Sequence, residues 1–231
     1  MVGIICAMAI EVDGLKAMMS GAENFTYANM TFTKGYLENR EVVAVECGVG
    51  KVNAAMCAQI MIDRFSPDVI INSGVAGATS EEVKICDMVI GTEVFEHDMN
   101  TSALGDPIGL ISLPEGNRIF FPSDEETADK IYKICKNVDD ANTFKGRIAS
   151  GDFFVSRRSK RNLLGIRFQA LACEMEGGAV GHVCYRNNVP FCVFRVISDD
   201  FNKNEGMDFK TFSQIAAERS IKVIREYISA L

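Results

Sequence analysis

Residues 42–72, VVAVECGVGKVNAAMCAQIMIDRFSPDVIIN, hold a strand, a helix and a second strand in direct succession. Val42 to Val45 is a run of β-formers, and Gly48-Val-Gly50 turns the chain. Val52 to Phe65 then repeats small and apolar residues at helical spacing. Pro67-Asp68 then precedes Val69-Ile-Ile-Asn72, which reads as a strand. Strand, helix and strand in this order predict an α/β fold, a sheet with helices on its faces.

The same alternation extends both ways along the chain. Val2 to Met8 reads as a strand, and Glu11 to Met19 as a helix with Val12, Leu15, Met18 and Met19 on one side. Phe25 to Cys47 predicts a hairpin turning at Glu38-Asn39-Arg40, and Lys84 to Phe95 a further strand pair. Asp124 to Val138 reads as a helix with Ser123 as N-cap and Glu126 completing a capping box. Arg147 to Val155 predicts a strand running into a loop, and Phe168 to Met175 a strand leading into a helix over Glu176 to Arg186. Pro190 to Ile197 is nearly continuous in β-formers, and Phe209 to Leu231 carries an amphipathic helical stripe. With no internal repeat and no linker, residues 1–231 read as one domain.

Composition excludes several functions. The chain has 24 Lys+Arg against 31 Asp+Glu, a net charge of −7, which provides no footprint for nucleic acid. Apolar stretches such as Pro67 to Ala78 fall far short of the ~20 residues of a spanning helix, and no basic segment precedes the N-terminal apolar run. Neither a membrane anchor nor a secretory signal is expected. The eight cysteines are scattered without a C-x-x-C, as for reduced, buried thiols in a cytoplasmic protein. His97 and His182, the only histidines, lie far apart without paired ligand spacing, so neither a metal nor any other cofactor is implied.

Ligands of α/β sheets collect at the carboxyl ends of strands. Four polar groups stand there: Glu11, the Asn72-Ser-Gly-Val-Ala-Gly77 turn, Glu174-Met-Glu176, and Arg195 with Ser198-Asp199. A lone strand-end carboxylate is ordinarily a cap or a solvated group; recurrence at equivalent points makes these candidates. Gly48-Val-Gly-Lys51 and Gly74-Val-Ala-Gly77 lack the P-loop and dinucleotide spacings and read as tight turns after strands. Arg157-Arg-Ser-Lys-Arg161 reads as the solvated side of a short helix. Cys173 reads as a buried structural thiol, and His97-Asp98 as a hydrogen-bonded structural pair.

Taken in order, six segments resemble the motifs of bacterial 5'-methylthioadenosine/S-adenosylhomocysteine nucleosidases. They are Gly3-Ile-Ile-Cys-Ala-Met8 with Glu11-Val12, Cys47 to Ala55, Pro67 to Gly77, Ser150-Gly-Asp-Phe-Phe-Val155, Glu174-Met-Glu176 and Arg195-Val-Ile-Ser-Asp199. The resemblance implies a nucleoside phosphorylase-like α/β fold, a mixed, twisted central sheet flanked by helices, usually in a homodimer. It also implies cleavage of an N-glycosidic bond in an adenine nucleoside, with Glu11 activating water and Asp199 protonating adenine N7.

By the same resemblance, Glu176 would hold the ribose hydroxyls, with Met175 against the sugar and Met8 and Val49 nearby. Phe154 would stack on adenine, the backbone of Val155 would read the purine edge, and Gly77 would let the main chain approach the ligand. Arg195 would orient Glu176 or the water, and Glu174 and Ser198 belong to the same binding set. Phe209 would line the 5'-substituent pocket, into which Leu104 of a neighbouring copy would reach. Two departures stand out: Val75 replaces the family's usual serine, and Met99 to Gly109 replaces a more aromatic stretch. The same fold serves phosphorylases, but no arginine precedes Arg40 to hold phosphate. A nucleoside binder without turnover is the other alternative, one that would have no need of both Glu11 and Asp199.

Overall fold

The structure is a computed structural model that describes residues 1–138, 141–199 and 209–231, with side chains from 212 onward in the last segment. Among the described residues, strand β1 (Val2–Cys6) enters helix α1 (Ala9–Met18), followed by β2 (Ser20–Tyr27), β3 (Met30–Leu37) and β4 (Arg40–Glu46). Helix α2 (Lys51–Phe65) leads to β5 (Val69–Ala78) and β6 (Met88–Glu96). A 3₁₀ turn over Ser102–Leu104, the short β7 (Phe121–Pro122) and α3 (Glu125–Val138) come next. The chain ends with β8 (Thr143–Ser150), α4 (Arg158–Phe168), β9 (Ala170–Glu174), α5 (Gly177–Asn187), β10 (Phe191–Asp199) and α6 (Phe209–Ser229).

All the strands join one mixed sheet, the expected α/β class, in the order β10-β6-β8-β9-β5-β1-β4-β3-β2, with β7 paired to β6. An additional pairing of β10 with β5 closes a ring through β6, β8 and β9. Consecutive residues alternate between faces. Ile5, Val193 and Ile197 therefore meet Ala54, Cys57 and Met61 of α2 and Val180 of α5 on one side. Ile4, Cys6, Phe194 and Val196 meet Val12 and Leu15 of α1, Ile131 of α3 and Ile224 of α6 on the other. Burial on both faces explains why β1 reads as an unbroken apolar run and β10 as one interrupted only by Arg195 before its polar end.

Strand β5 positions the site. Its first half pairs with β1 through Val69 to Asn72, and its end pairs with β9 through Gly77 and Ala78. Between them, among the described residues, the edge facing β1 and β9 carries no strand, and there the Glu11 side chain of the helix after β1 reaches the Val75 N–H.

Several local expectations give way. The predicted hairpin is a three-stranded meander, because β2, whose residues are mostly exposed, carries no apolar alternation to announce it. Lys84 to Phe95 holds one strand, not two. Gly74 to Gly77 is strand, not turn, since neither glycine takes a positive φ. Asp124, not Ser123, caps α3, its Oδ2 accepting the Thr127 N–H at 2.8 Å, while Ser123 Oγ is buried without a partner among the described residues. Phe168 closes α4 and does not begin β9.

Candidate active site

Because β1 ends at Cys6 and α1 begins at Ala9, Glu11 falls in the first helical turn, where backbone N–H groups lack intrahelical partners. Its Oε2 accepts the N–H groups of Ala7 and Met8, each at 3.0 Å. Its Oε1 crosses to β5 and accepts the Val75 N–H at 3.0 Å, in the gap between β1 and β9. Gly74 makes the crossing possible, since a Cβ there would lie 2.6 Å from Oε1. Burial pushes the Glu11 carboxyl above its usual range, against the opposing pull of Arg195 and the three N–H groups.

On the adjoining strand the register of β10 against β5 runs Val196 to Val75 and Ile197 to Ala76, then shifts to set Asp199 opposite Gly77. The extra residue, Ser198, makes a bulge of the kind that re-aims a side chain. Asp199 Oδ2 forms an ion pair with Arg161 Nη2. Arg161 is 1% exposed, its Nε donates to the Val155 carbonyl at 2.7 Å, and its guanidinium lies against Gly77. The basic run is thus solvated only through Arg157, Arg158 and Lys160; its last member turns inward. Sequence reasoning missed Arg161, although a signal was present: Arg161, Leu164 and Phe168 fall at helical spacing and are the buried residues of α4.

A third group gathers where β9 meets α5. Glu174 caps the helix, its oxygens accepting the N–H groups of Glu176 at 3.0 Å and Gly177 at 2.8 Å, the Ser150 hydroxyl and the Arg195 guanidinium. Arg195 also donates to Asn72 Oδ1 at 2.5 Å and to the Asn72 carbonyl at 2.9 Å. Arg195 therefore holds Glu174 and Asn72 by hydrogen bonds and also stands in a longer ion pair with Glu176, at 4.0 Å. Burial disfavours charge on Glu174, but Arg195, Ser150 and Gly177 outweigh it and keep the carboxyl below the usual range. Glu176 goes the other way: burial, then the charge of Glu174, push it up to about 7.

The glycine loop before α2 has its donors engaged. Gly50, at φ 101°, gives its N–H to Glu176 Oε1 at 2.9 Å, and Lys51 gives its N–H to Asp152 Oδ1 at 2.8 Å. The Lys51 ammonium pairs with Glu96 at 2.9 Å and Asp98 at 2.7 Å. Asp98 thus bonds Lys51 and the Asp152 N–H, while His97 Nε2 is buried without a partner among the described residues, so the two do not form the expected mutual pair.

These elements line a cleft of about 100 Å³. Glu11, Met8, Val49 and Val75 line one side, Glu174, Met175 and Glu176 the floor, and Gly77, Phe154, Ser198 and Asp199 the other end. Val155 is buried behind Phe154, and Arg195 lies beneath the floor, outside the lining. Cys173 also lines the cleft, but burial raises its thiol to about 12, which keeps it protonated and un-nucleophilic at neutral pH. Leu104 is 82% exposed on the 3₁₀ turn, away from this cleft. The side chain of Phe209 lies outside the described residues. Among the described residues, no cluster of His, Cys, Asp and Glu is placed to hold a metal ion, and no helix is long and apolar enough to cross a membrane.

The mixed sheet brings four carboxylates, Glu11, Glu174, Glu176 and Asp199, to one cleft, and the chain belongs to the phosphorylase superfamily, whose family model matches residues 1–229. Within it, the chain is similar over its whole length to proteins named 5'-methylthioadenosine/S-adenosylhomocysteine nucleosidase. The Staphylococcus carnosus protein is 36% identical, with 100% of each chain covered, and the Psychromonas ingrahamii protein 34%, with 100% and 99% covered. Among solved structures, the Neisseria meningitidis nucleosidase in complex with methylthio-immucillin-A matches with a TM-score of 0.91 at 30% identity, covering 100% of this chain and 99% of that one. A futalosine hydrolase of Helicobacter pylori matches as well, with a TM-score of 0.91 at 31% identity and 100% and 97% covered.

Proposed function

We propose that this protein hydrolyses the N-glycosidic bond of 5'-substituted adenine nucleosides, 5'-methylthioadenosine and S-adenosylhomocysteine foremost, releasing adenine and a 5-substituted ribose. Glu11 takes a proton from water as the water oxygen bonds to C1'. The C1'–N9 bond breaks with its electrons moving into the purine, and Asp199 gives a proton to N7. Each such proton transfer contributes typically about 10²–10⁴-fold. Glu176 holds the ribose hydroxyls, Met8, Val49 and Met175 pack on the sugar, and Phe154 covers the adenine. Glu174 and Arg195 act behind them by holding the floor.

The observation that carries hydrolysis over phosphorolysis is Glu11 itself: the backbone N–H groups of Ala7, Met8 and Val75, which would otherwise suit an oxyanion, already hold the chain's own carboxylate. The N–H groups of Gly50 and Lys51 are spent in the same way on Glu176 and Asp152. A buried negative cluster repels phosphate and accepts water. The choice of 5'-group rests with Met99 to Gly109, which replaces the family's more aromatic stretch, while Val75 removes a hydroxyl near the ribose and the attacking water. We further propose a homodimer in which Leu104 of one copy closes the 5'-end of the other's cleft. Eight unpaired cysteines suit a reducing, cytoplasmic setting.

Adenine release from 5'-methylthioadenosine, S-adenosylhomocysteine, 5'-deoxyadenosine, adenosine and inosine, with and without phosphate, tests the reading. Phosphate-independent release from the 5'-thio compounds is expected, with Glu11→Gln and Asp199→Asn each losing most turnover while still binding substrate. Phosphate-dependent release would move the protein to the phosphorylases, and binding without release would leave it a nucleoside binder.

A further inference from the structure

We infer that Arg161 is a positioning residue for the general acid: it grips Asp199 by Oδ2, leaves Oδ1 for adenine N7, and ties that carboxyl to the backbone segment beside the purine. The inference rests on the proposed hydrolysis and adds to it a residue that the sequence pattern alone assigns to solvent.

Geometry carries the argument. A guanidinium on a basic surface run would ordinarily be solvated, yet Arg161 is among the most deeply buried side chains of the protein. Burying such a cation is costly unless each face of it is used. Its Nη2 meets Asp199 and its Nε meets the Val155 carbonyl at 2.7 Å. Its plane lies against Gly77, where an added Cβ would come to 3.5 Å from Cζ. One rigid fork thus spans three places around the far end of the cleft: the tip of β10, the end of β5 and the loop after β8.

The chemistry gives that arrangement a use. When Asp199 hands a proton to N7, the O–H bond breaks and the electron pair stays on the carboxyl, which gains negative charge. Arg161 already lies against that carboxyl, so the charge it gains is met without reorganisation. The second hydrogen bond keeps Val155 in register with the acid, so the purine edge and the proton donor are aligned together.

The test is a double-mutant cycle on the full-length protein with 5'-methylthioadenosine. Arg161→Met is expected to lower kcat about 10²-fold with KM changed less than about threefold, and Arg161→Lys to recover at least tenfold of the loss, since it retains the ion pair. A residue acting through Asp199 adds nothing once Asp199 is gone, so Asp199→Asn with Arg161→Met should match Asp199→Asn alone. Losses that multiply, or a kcat for Arg161→Met within threefold of wild type, would overturn the inference. If Arg161→Met fails to fold, Arg161→Gln takes its place in the cycle, with the same expectations. Should Asp199→Asn itself keep near-native rates, the proposed acid falls. A collapse in Asp199→Asn with a native Arg161→Met would remove only the role of Arg161.

Discussion

Glu174 and Glu176 stand two residues apart on the chain and are driven in opposite directions by their surroundings. Glu174 is surrounded by donors and stays ionised, whereas Glu176 has burial and a neighbouring anion against it and rises to about 7 from an ordinary 4.5. A carboxyl raised in the folded state binds its proton more tightly there than in the unfolded chain, so stability falls as pH climbs from about 4.5 towards 7 and stays lower above it. Glu176→Gln removes that penalty while its amide oxygen can still accept the Gly50 N–H. At pH 8 the variant is expected to be more stable, by at most about 3 kcal/mol; at pH 4.5 it should match the wild type, and its turnover should drop at both. Thermal denaturation at the two pH values checks this, and an equal gain at both would mean that Glu176 is not raised.

At the scale of elements, the proposed base depends on the Glu11 side chain of α1 reaching the backbone of β5. Gly74 sits where the carboxylate of the helix meets the backbone of the strand, at a distance no side chain tolerates. Gly74→Ala is expected to cost about 1–3 kcal/mol of stability as an overpacked contact, and to lower kcat by at least tenfold because Glu11 must move. Full activity in that variant, measured by adenine release, would show that the position of Glu11 is not critical.

These elements also show what could be read in advance. The strand, helix and strand over residues 42–72 were legible because both strands are buried on both faces and the helix keeps one apolar stripe. Edge strand β2 was not, since its exposed residues carry no alternation. Gly74 to Gly77 suggested a turn because glycine is the usual turn residue. Its actual role, a close approach in a strand, depends on a helix 60 residues earlier in the chain. Arg161 was hidden by its charged neighbours, although the spacing to Leu164 and Phe168 pointed inward.

For the molecule as a whole, several apolar side chains stay uncovered: Val49 at the cleft is 50% exposed, and Val52 and Leu104, outside its lining, are 76% and 82% exposed. Patches of that kind mark interaction surfaces, and the proposed partner is a second copy. Sedimentation of the wild type is expected to give a dimer. Val52→Asp should shift it toward monomer and lower kcat/KM for 5'-thio substrates at least tenfold, with a smaller loss on adenosine. A monomeric wild type of full activity would rule out a wall supplied by the partner.

The amino-acid order alone determined the α/β alternation, the buried character of β1, the two-faced burial of β10, and the presence of carboxylates at strand ends, because periodicity and strand-end polarity are local properties of a chain. Only the tertiary structure decided which groups meet. The closure of β10 on β5, the gap that lets Glu11 reach Val75, the partition of Arg195 to Glu174 and of Arg161 to Asp199, and the divergent charge states of Glu174 and Glu176 all join residues far apart in sequence. Hydrogen-bond geometry and burial act through space, and neither has a period that a sequence could display.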